Sequence, residues 1–230
     1  MENNIVTLVT TGIILLSSCS RSPEIGVSRE LAALRKQNIS QVEYVLYLSI
    51  PGLKDSPVPS RTEISFEVKE KQKVALDFRF SDSCLVSITV NSRVYSTKPK
   101  NGHIIIPSKY IYRGINKVDI DFYAGESSLN RKDDFLYTLL VPDRASTVFP
   151  CFDQPDIKAQ FTLSLEVPKG WVAVSNSPAE NIMDTDTSRF YMFAPTKPIS
   201  TYLFAFAAGK FDTLSRTSGS KKITMYYREN

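Results

Sequence analysis

The sequence predicts an all-β fold, a saddle-like antiparallel β-sandwich preceded by one short N-terminal helix. Apolar and polar residues alternate along many short segments, most clearly at Phe161, Leu163, Leu165 and Val167. A period of two is the signature of a strand with one buried face. Turn residues separate these segments at intervals of roughly 8 to 12 residues, and no helical pattern recurs between them. Together these observations favour a sandwich over a parallel α/β sheet.

The predicted elements follow one another simply along the chain. Ser28 is suited to cap a helix that runs to about Gln37, with Leu31 and Leu34 facing inward. A first strand is expected over residues 42–50. The side chains expected to face inward from the next strands are Ile64, Phe66, Val68, Val74, Leu76, Phe78, Phe80, Val86, Ile88, Val90, Val118, Ile120 and Phe122.

The start of the chain carries a second pattern. Residues 5–18 are uncharged and apolar or hydroxylated, and they end in Leu16-Ser17-Ser18-Cys19. This run is too short for the ~20 residues of a membrane-spanning helix. It resembles the lipobox of bacterial lipoproteins, in which the cysteine is acylated and the preceding peptide is removed.

The lipobox resemblance implies a signal peptide over residues 1–18, lipid attachment at Cys19 and a tether over residues 19–27. It further implies a bacterial cell-envelope location, periplasmic or surface-exposed, with the chain anchored to the membrane through its lipid. The alternative is an ordinary secretory signal that happens to end near a cysteine. The remaining residues, 28–230, are expected to form the β-sandwich domain.

The charge pattern argues against nucleic-acid binding. The formal net charge is +4, and the basic residues interleave with acids in runs such as EVKEKQK and NRKDD. Such runs are typical of solvated turns rather than of a phosphate-binding track. The polar run over residues 125–134 is expected to be a mobile surface loop. Cys84 and Cys151 are expected to be free, with a disulfide as the alternative in an oxidising compartment.

The most informative segment is VFPCFDQPDIKAQF at residues 148–161. Pro150 and Pro155 fix their own φ angles and hold the four residues between them in a shaped bend. The segment resembles the F-P-C-F-D-E-P-x-x-K-A-x-F motif of the aminopeptidase N family of zinc metallopeptidases. The run TYLFAFAAGKFD at residues 201–212 resembles a second strand of that family. The resemblance covers roughly residues 28–230 and implies the family's amino-terminal, noncatalytic β-sandwich domain.

The catalytic machinery of that family is not encoded in this sequence. A catalytic zinc commonly needs two histidines and a carboxylate, whereas this chain has one histidine and no H-E-x-x-H motif. The family's G-A-M-E-N segment, which holds the substrate's amine, is also absent. We therefore expect no cofactor in this chain, with zinc belonging to the full-length family, and no activity from the chain alone. His103 is expected to be a hairpin residue near a strand start.

The resemblance also suggests which residues face a cleft or a partner domain. In the family's peptidases, a glutamate or glutamine upstream of the proline loop holds the peptide's α-amino group. Its position falls here at Val141, with a neighbouring polar position at Leu139, so the amine clamp does not carry over. Phe152, Gln154 and Val141 are the residues expected at the cleft or domain interface. Gln154 and Asp153 have the alternative role of bonding to nearby backbone, and Phe152 that of filling the core.

Three functions remain open from the sequence. The first is a noncatalytic domain, as a fragment or truncated product, that docks and shapes the cleft of a metallopeptidase catalytic domain; its mark would be an exposed apolar face. The second is a stand-alone envelope lipoprotein that binds peptide or glycan, with aromatic platforms ringed by polar groups. The third is a carboxylate-based enzyme such as a glycosidase, which the outward or turn positions of the aspartates disfavour.

Overall fold

The computed structural model describes residues 23–228. The predicted signal peptide over residues 1–18 and the lipid attachment at Cys19 lie outside the described residues. Within the described range, no helix has the length and apolar content needed to cross a membrane.

One α-helix, α1 (Arg29–Asn38), opens the described part of the chain. Ser28 caps it as predicted, because its hydroxyl oxygen accepts a hydrogen bond from the Leu31 amide at 3.2 Å. The expected inward position of Leu34 is wrong, since 49% of that residue is exposed. Arg35 is buried instead. A charged contact, described below, therefore sets the orientation of this helix.

Sixteen strands follow in residues 39–227. They are β1 (Ile39–Ser49), β2 (Pro59–Val68), β3 (Val74–Asp77), β4 (Leu85–Val90), β5 (Arg93–Val94), β6 (His103–Ile106), β7 (Gly114–Tyr123), β8 (Leu129–Arg131), β9 (Phe135–Thr138), β10 (Ala159–Pro168), β11 (Val172–Ser175), β12 (Ala179–Asp184), β13 (Ser188–Phe193), β14 (Phe206–Gly209), β15 (Asp212–Ser218) and β16 (Lys221–Tyr227).

The described strands form two main sheets and two separate pairs. The larger sheet has eight strands in the order β12-β13-β10-β1-β2-β7-β4-β5, and the smaller has four in the order β11-β14-β9-β8. β3 pairs with β6, and β15 pairs with β16. The predicted all-β sandwich is confirmed, with one departure from antiparallel pairing: β1 and β10 run parallel at the centre of the larger sheet.

The core fills the space beneath the larger sheet. Phe161 of β10 stacks on Phe204, which precedes β14, with ring centroids 4.5 Å apart. On its other side Phe161 stacks on Tyr44 of β1 at 4.9 Å. The alternation predicted for β10 is confirmed, because every second residue from Ala159 to Val167 is buried. These aromatic contacts join the two main sheets.

Two local predictions fail. Val86 is 59% exposed, because it lies where the register between β4 and β7 shifts, and the inward face of the strand resumes only at Ile88. The expected mobile loop over residues 125–134 contains strand β8 and a buried Arg131. The Arg131 guanidinium donates to three backbone carbonyls of the loop over residues 51–56, at 2.7, 2.8 and 3.2 Å. Arg131 thus fastens these two loops together.

Candidate functional site

The proline loop over residues 150–155 is built into the core. Cys151 pairs with Asp77 as a single antiparallel bridge, with N–O distances of 2.7 and 3.1 Å. The Phe152 amide donates to the Tyr44 hydroxyl oxygen at 2.8 Å. Burial raises the pKa of the Cys151 thiol well above its usual value, so this free cysteine is not suited to act as a nucleophile.

The structure places Phe152 inside the domain, which corrects the expectation that it faces a cleft or partner domain. Its side chain has no exposed surface. The ring meets Phe66 of β2 edge-on at a centroid distance of 5.3 Å. The Arg35 guanidinium lies 5.5 Å from the ring centroid, within the range of a cation–π contact. The side chain therefore fills the core between the larger sheet and helix α1.

Gln154 connects the proline loop to helix α1 and is 5% exposed. Its side-chain amide donates to the Ala32 carbonyl at 3.1 Å and to the Asp156 carboxylate at 2.7 Å. The second contact lowers the pKa of Asp156. The side-chain oxygen of Gln154 is buried without a partner. The described contacts of Gln154 are thus internal, in agreement with its alternative role of bonding to neighbouring backbone.

Asp153 fixes the turn that leads into the loop. Its carboxylate accepts hydrogen bonds from the Ser146 amide at 3.0 Å, the Ser146 hydroxyl at 2.9 Å and the Thr201 hydroxyl at 2.8 Å. Burial raises the pKa of Asp153, outweighing the hydrogen bonds that lower it. Asp143, another acid near this loop, pairs with Arg79 at 3.3 Å, so it is engaged within the chain.

A buried polar cluster beside the loop escaped the sequence analysis. Arg35 holds the Asp77 carboxylate through two contacts of 2.7 and 2.9 Å, and their side chains are 2% and 3% exposed. The Asp153 amide donates to the same carboxylate at 2.7 Å, and His103 Nδ1 lies 2.9 Å from it. Burial alone would raise the pKa of Asp77, but the His103 and Arg35 contacts hold it below its usual value.

His103, the one histidine of the sequence, is committed to this cluster. It is 1% exposed, and its Nε2 lies 3.0 Å from the Glu24 carbonyl and 3.1 Å from the Gly26 carbonyl. Since its Nδ1 faces Asp77, neither ring nitrogen is open to a metal. Across residues 23–228 no three histidine, cysteine or carboxylate side chains gather in a possible metal site. The residues present therefore do not fit a catalytic zinc.

Val141 lies on the surface, at the end of a row that continues strand β9. Tyr137, Leu139 and Val141 are 44%, 53% and 53% exposed, while Thr138 and Leu140 between them are buried. The peptide bond between Val141 and Pro142 is cis. Two positions aligned with the family's polar residues are thus exposed and apolar in this chain.

The same face continues across the smaller sheet, where its other residues are half-buried. Val174, Ala207 and Tyr137 stand opposite one another in the register of β11, β14 and β9, so their side chains share one face. Val172 and Phe135 lie two residues along on the same face. We call these five residues, with Leu139 and Val141, the outer apolar face. The opposite face of the sheet, with Ala173, Ala208 and Leu136, is buried in the core.

The buried acids and the tryptophan of this region are engaged within the domain. Asp77 and Asp153 are fully engaged by donors within the chain, and no catalytic nucleophile–base pair is evident among the contacts above. Trp171 is 4% exposed, and its carbonyl accepts a hydrogen bond from the Tyr191 hydroxyl, so it forms no exposed stacking platform. The outer apolar face is one feature of the described residues that the internal packing of the domain leaves unexplained.

Sequence comparisons identify relatives of this chain. The aminopeptidase N of Streptomyces lividans is 28% identical over 204 residues, which is 84% of this chain and 23% of that protein. The probable aminopeptidase 1 of Sulfurisphaera tokodaii is 29% identical over 176 residues, 71% of this chain and 22% of that protein. The glutamyl aminopeptidase of Rattus norvegicus is 41% identical over 92 residues, 39% of this chain and 10% of that protein. The chain thus spans less than a quarter of the length of each relative.

Solved structures share the fold. The M1 zinc metallopeptidase from Deinococcus radiodurans superimposes with a TM-score of 0.65 at 14% identity, over 81% of this chain and 46% of that one. A two-domain M1 zinc metallopeptidase bound to L-tryptophan gives a TM-score of 0.64 at 15% identity, over 82% of this chain and 47% of that one. The family model described as the Peptidase M1 N-terminal domain matches residues 47–203. This chain therefore belongs to the Peptidase M1 N-terminal domain family.

Proposed function

We propose that this chain is the noncatalytic amino-terminal part of an aminopeptidase-N-like zinc metallopeptidase, and that it docks a catalytic domain and forms part of its cleft wall. The observation that carries the proposal is the outer apolar face of the smaller sheet. A two-layer sandwich needs one apolar face per sheet, and this sheet has two. The second face is explained if another domain covers it.

The relatives support a catalytic domain as that partner. They are aminopeptidases and M1 zinc metallopeptidases, and each extends well beyond the region matched by this chain. In our proposal the catalytic domain lies in the part of such a protein outside the match. Zinc and the catalytic residues would belong to that domain, because His103 has no nitrogen free to bind a metal.

The ribbon of β15 and β16 extends the proposed docking surface. In its register Leu214 faces Met225, and Ile223 lies two residues along on the same face. These three residues are 61%, 53% and 63% exposed. The other face of the ribbon carries Thr213 and Thr224, which line a groove of about 570 Å³ beside β11 and β12. The three apolar residues thus lie on the face turned away from the groove, together with Arg216, which pairs with Ile223, and in our proposal a partner covers them.

Val141 would be the residue of this chain nearest the substrate. A valine cannot pair with a peptide's ammonium group, which the family's carboxylate would bind. In our proposal the chain therefore supplies an apolar wall, and any selection for a free amino terminus rests with the catalytic domain. Phe152 and Gln154 act at a distance, by fixing the proline loop and helix α1.

We also propose that Cys19 carries the lipid anchor, that residues 1–18 are removed, and that the protein is held at the bacterial cell envelope. The support is the Leu16-Ser17-Ser18-Cys19 run after an uncharged apolar segment. Replacing Cys19 with alanine should move the protein from the membrane fraction to the soluble fraction. Unchanged membrane retention would contradict the anchor.

A paired experiment tests the docking role. The purified chain is assayed with chromogenic aminoacyl substrates and added zinc; turnover that a chelator abolishes would contradict the noncatalytic assignment. The outer apolar face is then probed with a fluorescent dye that binds exposed apolar surface. We expect Tyr137→Ser with Val174→Ser to reduce the dye signal and Val86→Ser, at an exposed position on another sheet, to leave it nearly unchanged. An equal response from both variants would count against this face as the docking surface.

A further inference from the structure

The first described residues are attached to the domain through their backbone. The Asn101 side-chain amide donates to the Pro23 carbonyl at 3.1 Å. The Nε2 atom of His103 lies 3.0 and 3.1 Å from the carbonyls of Glu24 and Gly26. These residues belong to the predicted tether over residues 19–27. Its second half is thus held against the domain, which shortens the free part of the tether.

The attachment point is itself rigid. His103 is 1% exposed, and all three oxygens around its ring belong to backbone carbonyls or to the Asp77 carboxylate. Asp77 is in turn held by Arg35 and by the backbone of the proline loop. Asn101 lies in a tight turn with φ 52°. The N-terminal segment is thus tied to the core rather than to a flexible loop.

Chain length then limits how far the domain can be from a lipid on Cys19. Three residues separate Cys19 from Pro23. At ~3.6 Å per residue, these four steps reach at most about 14 Å when fully extended. If Cys19 is acylated, the surface around Pro23 must face the membrane at close range, and the domain cannot turn this surface away.

The composition of that surface suits a membrane interface. Ile25 is 83% exposed and Leu34 is 49% exposed. Leu34 and Pro23 line one shallow groove together with Lys73. Lys98 and Lys100 are also exposed and lie three residues and one residue before Asn101, which contacts Pro23.

The charges near this surface are mainly positive. Glu24, Glu30 and Glu70 are the acids closest in sequence to the groups just described, and all three are exposed. These three acids are fewer than the five lysines of residues 69–73 and 98–100. Apolar side chains beside lysines match an interface where acyl chains meet anionic headgroups.

We infer that the surface formed by Pro23, Ile25, Leu34, Lys98 and Lys100 lies against the anionic phospholipids of the leaflet that holds the lipid anchor. The inference rests on the acylation of Cys19 proposed above. The contacts of Asn101 and His103 with the backbone of residues 23–26 determine which side of the domain meets the membrane. The lysines pair with headgroup phosphates, while Ile25 and Leu34 enter the interface. The domain is thereby held in one orientation.

The test uses the acylated protein, purified from membranes and reconstituted into vesicles of phosphatidylcholine with or without phosphatidylglycerol. A water-soluble amine reagent labels exposed lysines, and mass spectrometry of peptides gives the labelling rate of each. On the anionic vesicles we expect Lys98 and Lys100 to label at least about fivefold more slowly than on neutral vesicles, the factor equivalent to ~1 kcal/mol per lysine. Lys221 and Lys222, exposed at the far ribbon, are the internal controls and should label equally on both.

Two further readouts separate the possible failures. The mass of the N-terminal peptide shows whether Cys19 carries acyl chains, so loss of the anchor is detected independently of the labelling pattern. Asn101→Gly keeps the positive φ but removes the bond to Pro23, and we expect it to reduce the protection of Lys98 and Lys100. If Lys98 and Lys100 of an acylated protein label at the same rate on anionic and on neutral vesicles, as the control lysines should, the inferred membrane-facing surface is overturned.

Discussion

The buried pair between Arg35 and Asp77 gives the most decisive stability prediction. We consider the change Arg35→Met, which keeps a long side chain on helix α1 and removes the charge. It leaves the Asp77 carboxylate buried with His103 and the Asp153 amide as its remaining partners. The side chains of Arg35 and Asp77 are only 2% and 3% exposed. Water cannot replace the lost guanidinium unless the helix moves.

The expected magnitude follows from these contacts. Removing one partner of a buried ion pair typically costs about 3 to 5 kcal/mol of unfolding free energy. The Asp153 amide still donates to Asp77 and His103 Nδ1 still lies 2.9 Å from it, so we expect the lower end, about 3 kcal/mol, or a change of roughly 150-fold in the unfolding equilibrium constant. Arg35 also donates to the Ala75 carbonyl at 2.9 Å, and this contact is lost with the pair.

Lys36→Met is the matched control, one residue along the same helix. Lys36 pairs with Asp156 at 3.3 Å, but the two side chains are 71% and 44% exposed. An exposed pair of this kind contributes less than about 1 kcal/mol. Methionine and lysine have similar helix propensities, so the two variants differ mainly in burial of the charge that is removed.

The assay is urea unfolding followed by the fluorescence of Trp171, the single tryptophan, which is buried. Free energies from linear extrapolation are compared for the wild type and both variants. If Arg35→Met and Lys36→Met differ by less than about 1 kcal/mol, the reasoning from burial is refuted. Hydrogen exchange of the backbone amides gives a second readout. If Arg35→Met unfolds at the same urea concentration as the wild type and only the amides of α1 exchange faster, the pair stabilises the docking of the helix and not the whole domain.

Three further predictions concern pH, loop anchoring and close packing. The pKa of Asp77 is lower in the folded state than its unfolded value of about 3.9. Its ionised form therefore stabilises the fold above that pH, and this contribution is lost as the pH falls further. In urea unfolding from pH 7 to 3, the free energy of unfolding should fall less for Asp77→Asn than for the wild type. Arg131→Met should lower the free energy of unfolding by about 2 to 4 kcal/mol, because it leaves three backbone carbonyls without a partner. Lys132→Met, at the exposed neighbouring residue, is the control. If the two variants lose the same free energy of unfolding, the contacts of Arg131 with residues 51–56 do not stabilise the domain. Gly209→Ala should lower the thermal midpoint, because the added Cβ would lie 2.6 Å from Phe135 Cβ and such overpacking typically costs about 1 to 3 kcal/mol; an unchanged midpoint would show that the backbone adjusts freely.

The fold was predictable where a local pattern decides it. In β10 the alternation is unbroken from Ala159 to Val167, and the two flanking prolines likewise fixed the bend at residues 150–155. Val86 broke its pattern because a register shift between β4 and β7 lies at that point. A shift depends on the partner strand, which periodicity within one strand does not reveal.

The site was less predictable because its contacts join distant segments. The direction of Phe152 depends on Tyr44, which lies 108 positions earlier in the chain and accepts the Phe152 amide. Arg35 and Asp77 are 42 positions apart, and each alone resembles an ordinary surface charge. For His103 the sequence did contain a signal, because this residue follows an Asn-Gly turn and precedes three isoleucines. A histidine at the start of such an apolar strand is buried with it and therefore needs polar partners.

The parallel pairing of β1 with β10 has a consequence for how the chain is made. Ser49 and Glu166, which share a hydrogen bond at one end of this pair, are 117 positions apart. β1 is among the first strands to leave the ribosome, and one of its edges must wait for β10 to be synthesised before it is paired. Until then the nascent chain presents an unpaired edge that is open to other strands. The order of synthesis thus keeps the centre of the larger sheet open until β10 is made, and early release or cleavage before β10 would leave a product prone to aggregate.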